Sequence, residues 1–380
     1  MRITFVSAFD PSPPPASDDA ASGHVGGVER VFCEISRKLA HRGHDVTLIC
    51  STQGGRETTT EHGVHIVREP RITTFLRAPL APLSRHIPHD SDVVHVAATY
   101  PFTTSKVLRR AHELGIPSVL DFHFEPDPGT PVGRLAAGVY QAIAPPVYDL
   151  ASSVLVRSVA YGRSAASLDH IPEQRWRVVP NGVDPAKFRP RPSDGPSNYL
   201  LFVGRLVPYK GLDVLLRALA ASPPGIPLLI VGDGPLRGQL DALARRLGVD
   251  ARFLGCVADA DLPALYSGAS LTLLPSVTRQ ECFGISILES MACGTPVVAS
   301  DLPGVADLAR LGGLVAKPGN VQDLSAQIRR ALEPERFARG PALSSRIHKE
   351  FSWDAVTDRL EAVYGEVVDQ GRTAPMPQTR

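Results

Sequence analysis

Short β-branched runs alternate with amphipathic helical patterns along the whole chain, and no other feature limits the fold as tightly. That order is the signature of βαβ units stacked around a parallel sheet. Residues 3–7 read as the first strand. A glycine-rich loop follows, then a helix with Val28, Val31, Phe32, Ile35 and Leu39 on one stripe. Gly43 caps that helix, and residues 45–50 form the next strand. Residues 93–97, 118–122 and 153–156 continue the series. The pattern then restarts. Val179-Pro180-Asn181-Gly182-Val183-Asp184 reads as a turn and residues 189–198 as a Pro/Ser/Gly/Arg-rich linker. Strands at 199–203, 228–231, 252–254, 270–274 and 296–299 come after it. The prediction is an α/β chain of two Rossmann-like domains, 1–190 and 197–350, split near residue 195. A last helix over 351–370 carries Trp353, Val356, Leu360, Val363 and Val367 at helical spacing. A length of 380 residues suits two cores better than one. Right-handed crossovers align the carboxyl ends of the strands along one edge, where such sheets bind ligands.

Composition narrows the function classes. Forty basic residues against thirty-nine acidic give a formal charge of +1, which offers no electrostatic reason to bind nucleic acid. The five cysteines are odd in number and scattered, without a CxxC pair, so they read as reduced thiols and not as a disulfide frame or zinc site. Met1-Arg2-Ile3-Thr4-Phe5-Val6 reads as a strand, not a signal peptide, and no run approaches a membrane span. A cytoplasmic location is expected, with peripheral contact at the inner membrane face left open.

The strongest chemical motif is Glu281-Cys282-Phe283-Gly284-Ile285-Ser286-Ile287-Leu288-Glu289. Gly284 permits a tight turn and a helix start, whose free N–H groups and dipole suit a diphosphate. Glu281, ahead of the helix, is placed to accept hydrogen bonds from sugar hydroxyls, and Glu289 to hold a ribose diol. The bland alternative is a strand–helix junction with two solvated glutamates. The second motif is Phe202-Val203-Gly204-Arg205-Leu206-Val207-Pro208-Tyr209-Lys210-Gly211. Arg205 offers a bidentate fork and Lys210 a point charge, both of which stabilise a leaving diphosphate. Cations just before a helix start are poorly placed unless an anion binds there. Two weaker signals are Gly26-Gly27-Val28-Glu29-Arg30, also common turn chemistry, and Asp121-Phe122-His123-Phe124-Glu125, where His123 taken alone is more often structural. The first strand is not followed by GxGxxG and the second does not end in an acid, which argues against a nicotinamide dehydrogenase.

Taken in order, these motifs resemble glycosyltransferase family 4. The resemblance spans nearly the whole chain, including Gly232-Asp233-Gly234-Pro235, the Glu-x7-Glu box from Glu281 to Glu289, and Phe351-Ser352-Trp353. It implies a GT-B fold with two Rossmann-like domains facing an interdomain cleft, the nucleotide-sugar on the C-terminal domain and the acceptor on the N-terminal one, and a last helix returning to the latter. It also implies retention, with no protein nucleophile, no cofactor and no metal. By this resemblance Arg205 and Lys210 bind the donor diphosphate, Glu289 the ribose, and Glu281 the transferred sugar with the Phe283, Gly284 and Ile285 backbone nearby. Gly27 approaches the phosphate from the opposite domain, and His123 lies beside the donor sugar. Base recognition is expected from backbone groups around Cys256 and Val257.

The expected reaction is transfer of a hexose-type sugar from a UDP- or GDP-linked donor to a glycan, lipid-linked or small-molecule hydroxyl. A nucleotide-sugar epimerase and a non-catalytic nucleotide-sugar binder are the alternatives. Cys282 stands where the family favours a small residue, and the first loop, from Asp10 to His24, is unusually long. Residues 70–89 carry Arg71, Arg77, Arg85, His86 and His89 without an acid, together with Phe75, Leu76, Leu80 and Leu83. They are a candidate for contact with an anionic membrane or a lipid-linked acceptor, although Pro79 and Pro82 interrupt any continuous helix.

Overall fold

The computed structural model describes residues 1–10, 27–75, 78–126, 131–191, 198–333 and 336–373. The long first loop, Gly26, Leu76, Arg77, most of the expected linker and the last seven residues lie outside these. The chain divides into two compact units, Met1–Pro180 with Trp353–Arg380, and Asn181–Ser352.

The first unit is built on an eight-stranded sheet. Its spatial order is Trp176–Val178, Ser153–Val156, Ser118–Asp121, Val93–Ala97, Arg2–Val6, Asp45–Thr52, Val64–Pro70 and Glu57–Glu61. All neighbours are parallel except the last pair. Every residue of Val93–Ala97, Ser118–Asp121 and Ser153–Val156 is buried, as a parallel sheet covered on both faces requires. Part of that cover comes from opposite ends of the sequence. Val31, Phe32, Ile35 and Leu39 of the Gly27–His41 helix share a core with Trp353, Val356, Leu360, Val363 and Val367 of the Trp353–Thr373 helix. Lys38 pairs with Asp354 at 2.9 Å and Arg42 with Asp358 at 2.6 Å along the rim of this contact.

The second unit holds a six-stranded, all-parallel sheet in the order Ala251–Gly255, Leu228–Val231, Leu200–Val203, Leu271–Leu274, Val297–Ser300 and Gly313–Ala316. In sequence terms this is 3-2-1-4-5-6, the doubly wound arrangement. Separate apolar clusters cover its two faces.

The division falls at Pro180/Asn181, ahead of the expected break near residue 195. Val183 and Phe188 are the reason: both are buried in the second unit's core, and Val183 forms a parallel bridge with Ser352. The strand series expected from the sequence also lacks Glu57–Glu61, Val64–Pro70, Trp176–Val178, Gly313–Ala316 and a small hairpin of Thr73–Phe75 with Ala78–Leu80. Among the described residues no helix is long and apolar enough to cross a membrane.

Candidate active site

In the second sheet, Leu200–Val203 and Leu271–Leu274 are neighbours, yet the chain leaves them toward opposite edges. The crevice beyond their carboxyl ends is therefore the topological switch point, where open α/β sheets bind ligands. The loop after Val203 carries Arg205 and Lys210, and the loop after Leu274 carries Glu281. The two loops are tied together, since the Val277 N–H donates to the Tyr209 carbonyl at 2.8 Å. Gly211 makes the approach possible: its φ is 64°, and a Cβ there would run into the Pro275 carbonyl oxygen. A third connection steadies the Arg205 loop, because the Leu206 N–H donates to the Asp233 carbonyl at 2.9 Å.

These loops bring Lys210 and Glu281 together. Lys210 Nζ donates to Glu281 Oε2 at 2.5 Å, with the side chains 13% and 10% exposed. Ser276 Oγ, fully buried, donates to the same oxygen at 3.0 Å. Burial presses the ammonium toward its neutral form, but the Glu281 carboxylate outweighs it and leaves the Lys210 pKa above its ordinary value. Glu281 Oε2 thus has two donors, while Oε1 has no partner among the described residues. Arg205 is exposed and makes no side-chain hydrogen bond or ion pair with a described residue.

Downstream, Gly284 is the N-cap of the Ile285–Ala292 helix at φ 86°. A Cβ at this position would lie 2.9 Å from Leu274 Cδ2, so both conformation and space call for glycine. The first N–H groups of the helix, those of Ile285 and Ser286, have no acceptor among the described residues. Phe283 is buried in the core, and Ile285 is half-buried. Glu289 lies deeper in the helix, 6% exposed, and accepts from the Tyr266 hydroxyl at 2.9 Å. Val257, half-buried, follows the Ala251–Gly255 strand with exposed Cys256 beside it.

His123 and Gly27 belong to the first unit. Gly27 opens the Gly27–His41 helix. His123 follows the Ser118–Asp121 strand and is 2% exposed. Its Nε2 lies 3.2 Å from Asp121 Oδ2, the same oxygen that stands 3.3 Å from His95 Nε2, while Arg157 Nη2 holds Asp121 Oδ1 at 2.5 Å. His95 Nδ1 meets the Tyr364 hydroxyl at 2.6 Å, which joins this cluster to the last helix. Burial pushes the Asp121 pKa up, but the Arg157 guanidinium and His123 hold it well below the usual carboxylate range. Burial lowers His123, with Asp121 opposing and Arg157 assisting, so the ring is neutral near pH 7.

Part of the basic segment is bound within the first unit. Arg85 and His86 are both bound to buried Glu69, which Arg56 also contacts at 2.9 Å. Leu83 is buried in the fold. Arg85, His86 and Leu83, all counted toward a membrane face, are therefore used inside the first unit.

Residues 25–187 match the model of Glycosyltransferase Family 4, and residues 183–344 match that of Glycosyl transferases group 1. Over 413 aligned residues, 93% of this chain and 88% of the relative, the sequence is 30% identical to a D-inositol 3-phosphate glycosyltransferase of Acidothermus cellulolyticus. The chain belongs to glycosyltransferase family 4. Its fold is similar to that of sucrose-phosphate synthase from Thermosynechococcus elongatus, at 21% identity and a TM-score of 0.77 over 97% of this chain and 99% of that one. The Anabaena HepE protein, solved with UDP, is similar at 21% identity and a TM-score of 0.75 over 96% and 100%. The protein is thus a glycosyltransferase of GT-B type, from a family that uses sugar-nucleotide donors.

Three residues that contact these candidate side chains, Ser276, Tyr266 and Arg157, fall outside the motifs that the sequence displays. Ser276 and Tyr266, which orient Glu281 and Glu289, carry no motif of their own. Asp121 and Arg157 surround His123. Asp121 lies within the quoted His123 motif, and its role was legible there, since it stands two residues before His123 at a strand end, where alternate side chains share a face.

Proposed function

We propose that this enzyme transfers a hexose-type sugar, with retention of configuration, from a UDP- or GDP-linked donor to a hydroxyl of a polyol or glycan acceptor. The observation that carries the reading is the largely buried Lys210–Glu281 pair at the switch point of the second sheet. On this reading the diphosphate lies between Arg205, Lys210 and the first N–H groups of the Ile285–Ala292 helix. Lys210 exchanges its contact with Glu281 for a phosphate oxygen, whose negative charge takes over from the carboxylate in holding the ammonium cationic as the leaving diphosphate gains charge. Glu281 then holds the transferred sugar and Glu289 the ribose, with backbone around Val257 facing the base. The first unit takes the acceptor, and Gly27 and neutral His123 keep the roles that the family resemblance gives them. No protein nucleophile, metal or cofactor is assigned a step.

Turnover is the test. Lys210→Ala and Arg205→Ala are each expected to lower kcat on the order of a hundredfold, as loss of a preorganised donor to a developing anion does. A thermal-shift screen against UDP-, GDP-, ADP- and dTDP-sugars identifies the donor first, since a ligand that binds only the folded state raises its stability. Near-normal turnover in both variants refutes the diphosphate clamp.

A further inference from the structure

Arg71 belongs to the basic segment, and no ion pair with a described residue absorbs it. It stands just past the Val64–Pro70 strand, at the carboxyl edge of the first sheet. Its backbone N–H donates to the Thr52 carbonyl at 3.0 Å, which fixes where the side chain starts. Its Nε donates to Ser51 Oγ at 3.2 Å, and buried Ser51 in turn donates to the Ala8 carbonyl. The guanidinium lies over the Phe9 ring, 5.0 Å from its centroid, and Phe9 meets Tyr100 edge-on at 5.5 Å. Among the described residues Nη1 and Nη2 have no partner. A guanidinium held at Nε and stacked on an aromatic face is oriented in advance, so its terminal fork is left for a planar or tetrahedral anion.

The location gives the fork its meaning. Phe9 follows the Arg2–Val6 strand and Tyr100 follows Val93–Ala97, and these two adjacent strands flank the topological switch point of the first sheet. The nearby acids are already committed: Glu69 to Arg56, Arg85 and His86, and Asp10 to Arg68 at 2.7 Å. Among the described residues no carboxylate is placed to neutralise Arg71.

We propose that Arg71, with Phe9 and Tyr100 as an apolar floor, binds an anionic group, phosphate or carboxylate, carried by the acceptor. This deepens the reading in which the first unit takes the acceptor, and rests on it. The class of reaction that supplies such a substrate is one that phosphorylates or oxidises a polyol or sugar.

The first arm needs no turnover. Inorganic phosphate is titrated by calorimetry, at constant ionic strength, into the full chain carrying Arg205→Ala and Lys210→Ala, which removes the competing anion site. Adding Arg71→Gln is expected to weaken the remaining phosphate binding about tenfold or more, the loss of a charge-assisted fork, with Arg71→Lys between the two. Phe9→Leu, which removes the stacking face but no charge, is expected to weaken it by a smaller factor. The second arm compares inositol 1-phosphate and glucuronate with inositol and glucose as acceptors for the unsubstituted enzyme. Preference for either anion supports the proposal and identifies its source. Phosphate affinity unchanged by Arg71→Gln, no phosphate binding, or equal rates with neutral and anionic acceptors overturns it. Failure of every donor to turn over would count against the glycosyl-transfer reading, while the phosphate titration would still decide whether Arg71 binds an anion.

Discussion

Glu281 Oε2 is claimed by two donors, Lys210 and Ser276, and the second has a role the first cannot fill. On the proposed clamp a phosphate draws Lys210 away, and the Ser276 hydroxyl then fixes the carboxylate's rotation, so that Oε1 keeps its aim. Ser276→Ala is expected to lower kcat roughly tenfold while costing only about 1 kcal/mol of stability, the ordinary worth of one hydrogen bond. Affinity for the free nucleoside diphosphate, which does not touch Glu281 in this scheme, should stay within twofold. A variant with unchanged kcat shows that Ser276 merely fills space. The histidine cluster of the first unit makes a pH-dependent contribution. His123 titrates lower in the folded chain than its usual value of about 6.5, so below that pH the unfolded chain takes up a proton that the folded one refuses. Its contribution is fully present above about pH 6.5 and is lost as pH falls through the lowered folded value. Asp121, also lowered, adds a loss that begins only near pH 4 and below. Urea unfolding between pH 5 and 8 should therefore show a fall in stability on the acid side that His123→Asn flattens. An identical slope in the variant excludes His123 as its source.

At the scale of elements, the strands with continuous β-branched or leucine runs are legible because a doubly covered parallel strand has no polar face to disguise it. Leu228–Val231 is of this kind, and Val93–Ala97 is broken only by the buried His95. Glu57–Glu61, with the sequence ETTTE, has no buried residue and is held by backbone pairing at a sheet edge, so no hydrophobic pattern announces it. Trp176–Val178 and Gly313–Ala316 are also short edge strands. The site follows the same logic. The Glu281–Glu289 spacing and the Arg205–Lys210 loop are readable as sequence, whereas Ser276, Tyr266 and Arg157 reach their partners only through folding. The last helix is legible from its stripe, and its burial defines a prediction. Leu360 is fully buried against the Gly27–His41 helix side of the first core. Leu360→Ala should cost about 2–5 kcal/mol by chemical denaturation, as a buried leucine truncation does. A loss under about 1 kcal/mol would mean that the helix adds little to that core.

Considered whole, the chain passes between its two units twice, at Pro180/Asn181 and again at Ser352/Trp353, so the second unit is a continuous insertion into the first. Each unit has its own sheet and its own buried clusters, with those of the first drawing on both ends of the sequence. Two perturbations should therefore separate. Leu360→Ala acts on the first core, and on the proposed reading a nucleoside diphosphate acts on the loops of the second sheet. If the units unfold independently, calorimetry resolves two transitions: the substitution lowers one, and the ligand raises the other by about 2.7 kcal/mol at a hundredfold excess over its Kd. The ligand effect should vanish in Lys210→Ala with Arg205→Ala, while the Leu360→Ala effect persists there. One transition that responds to both perturbations would show that the units melt together despite their separate cores. A ligand that shifts the Leu360-sensitive transition alone would place the nucleotide on the first unit, and the assignment of donor to the second sheet would have to be abandoned.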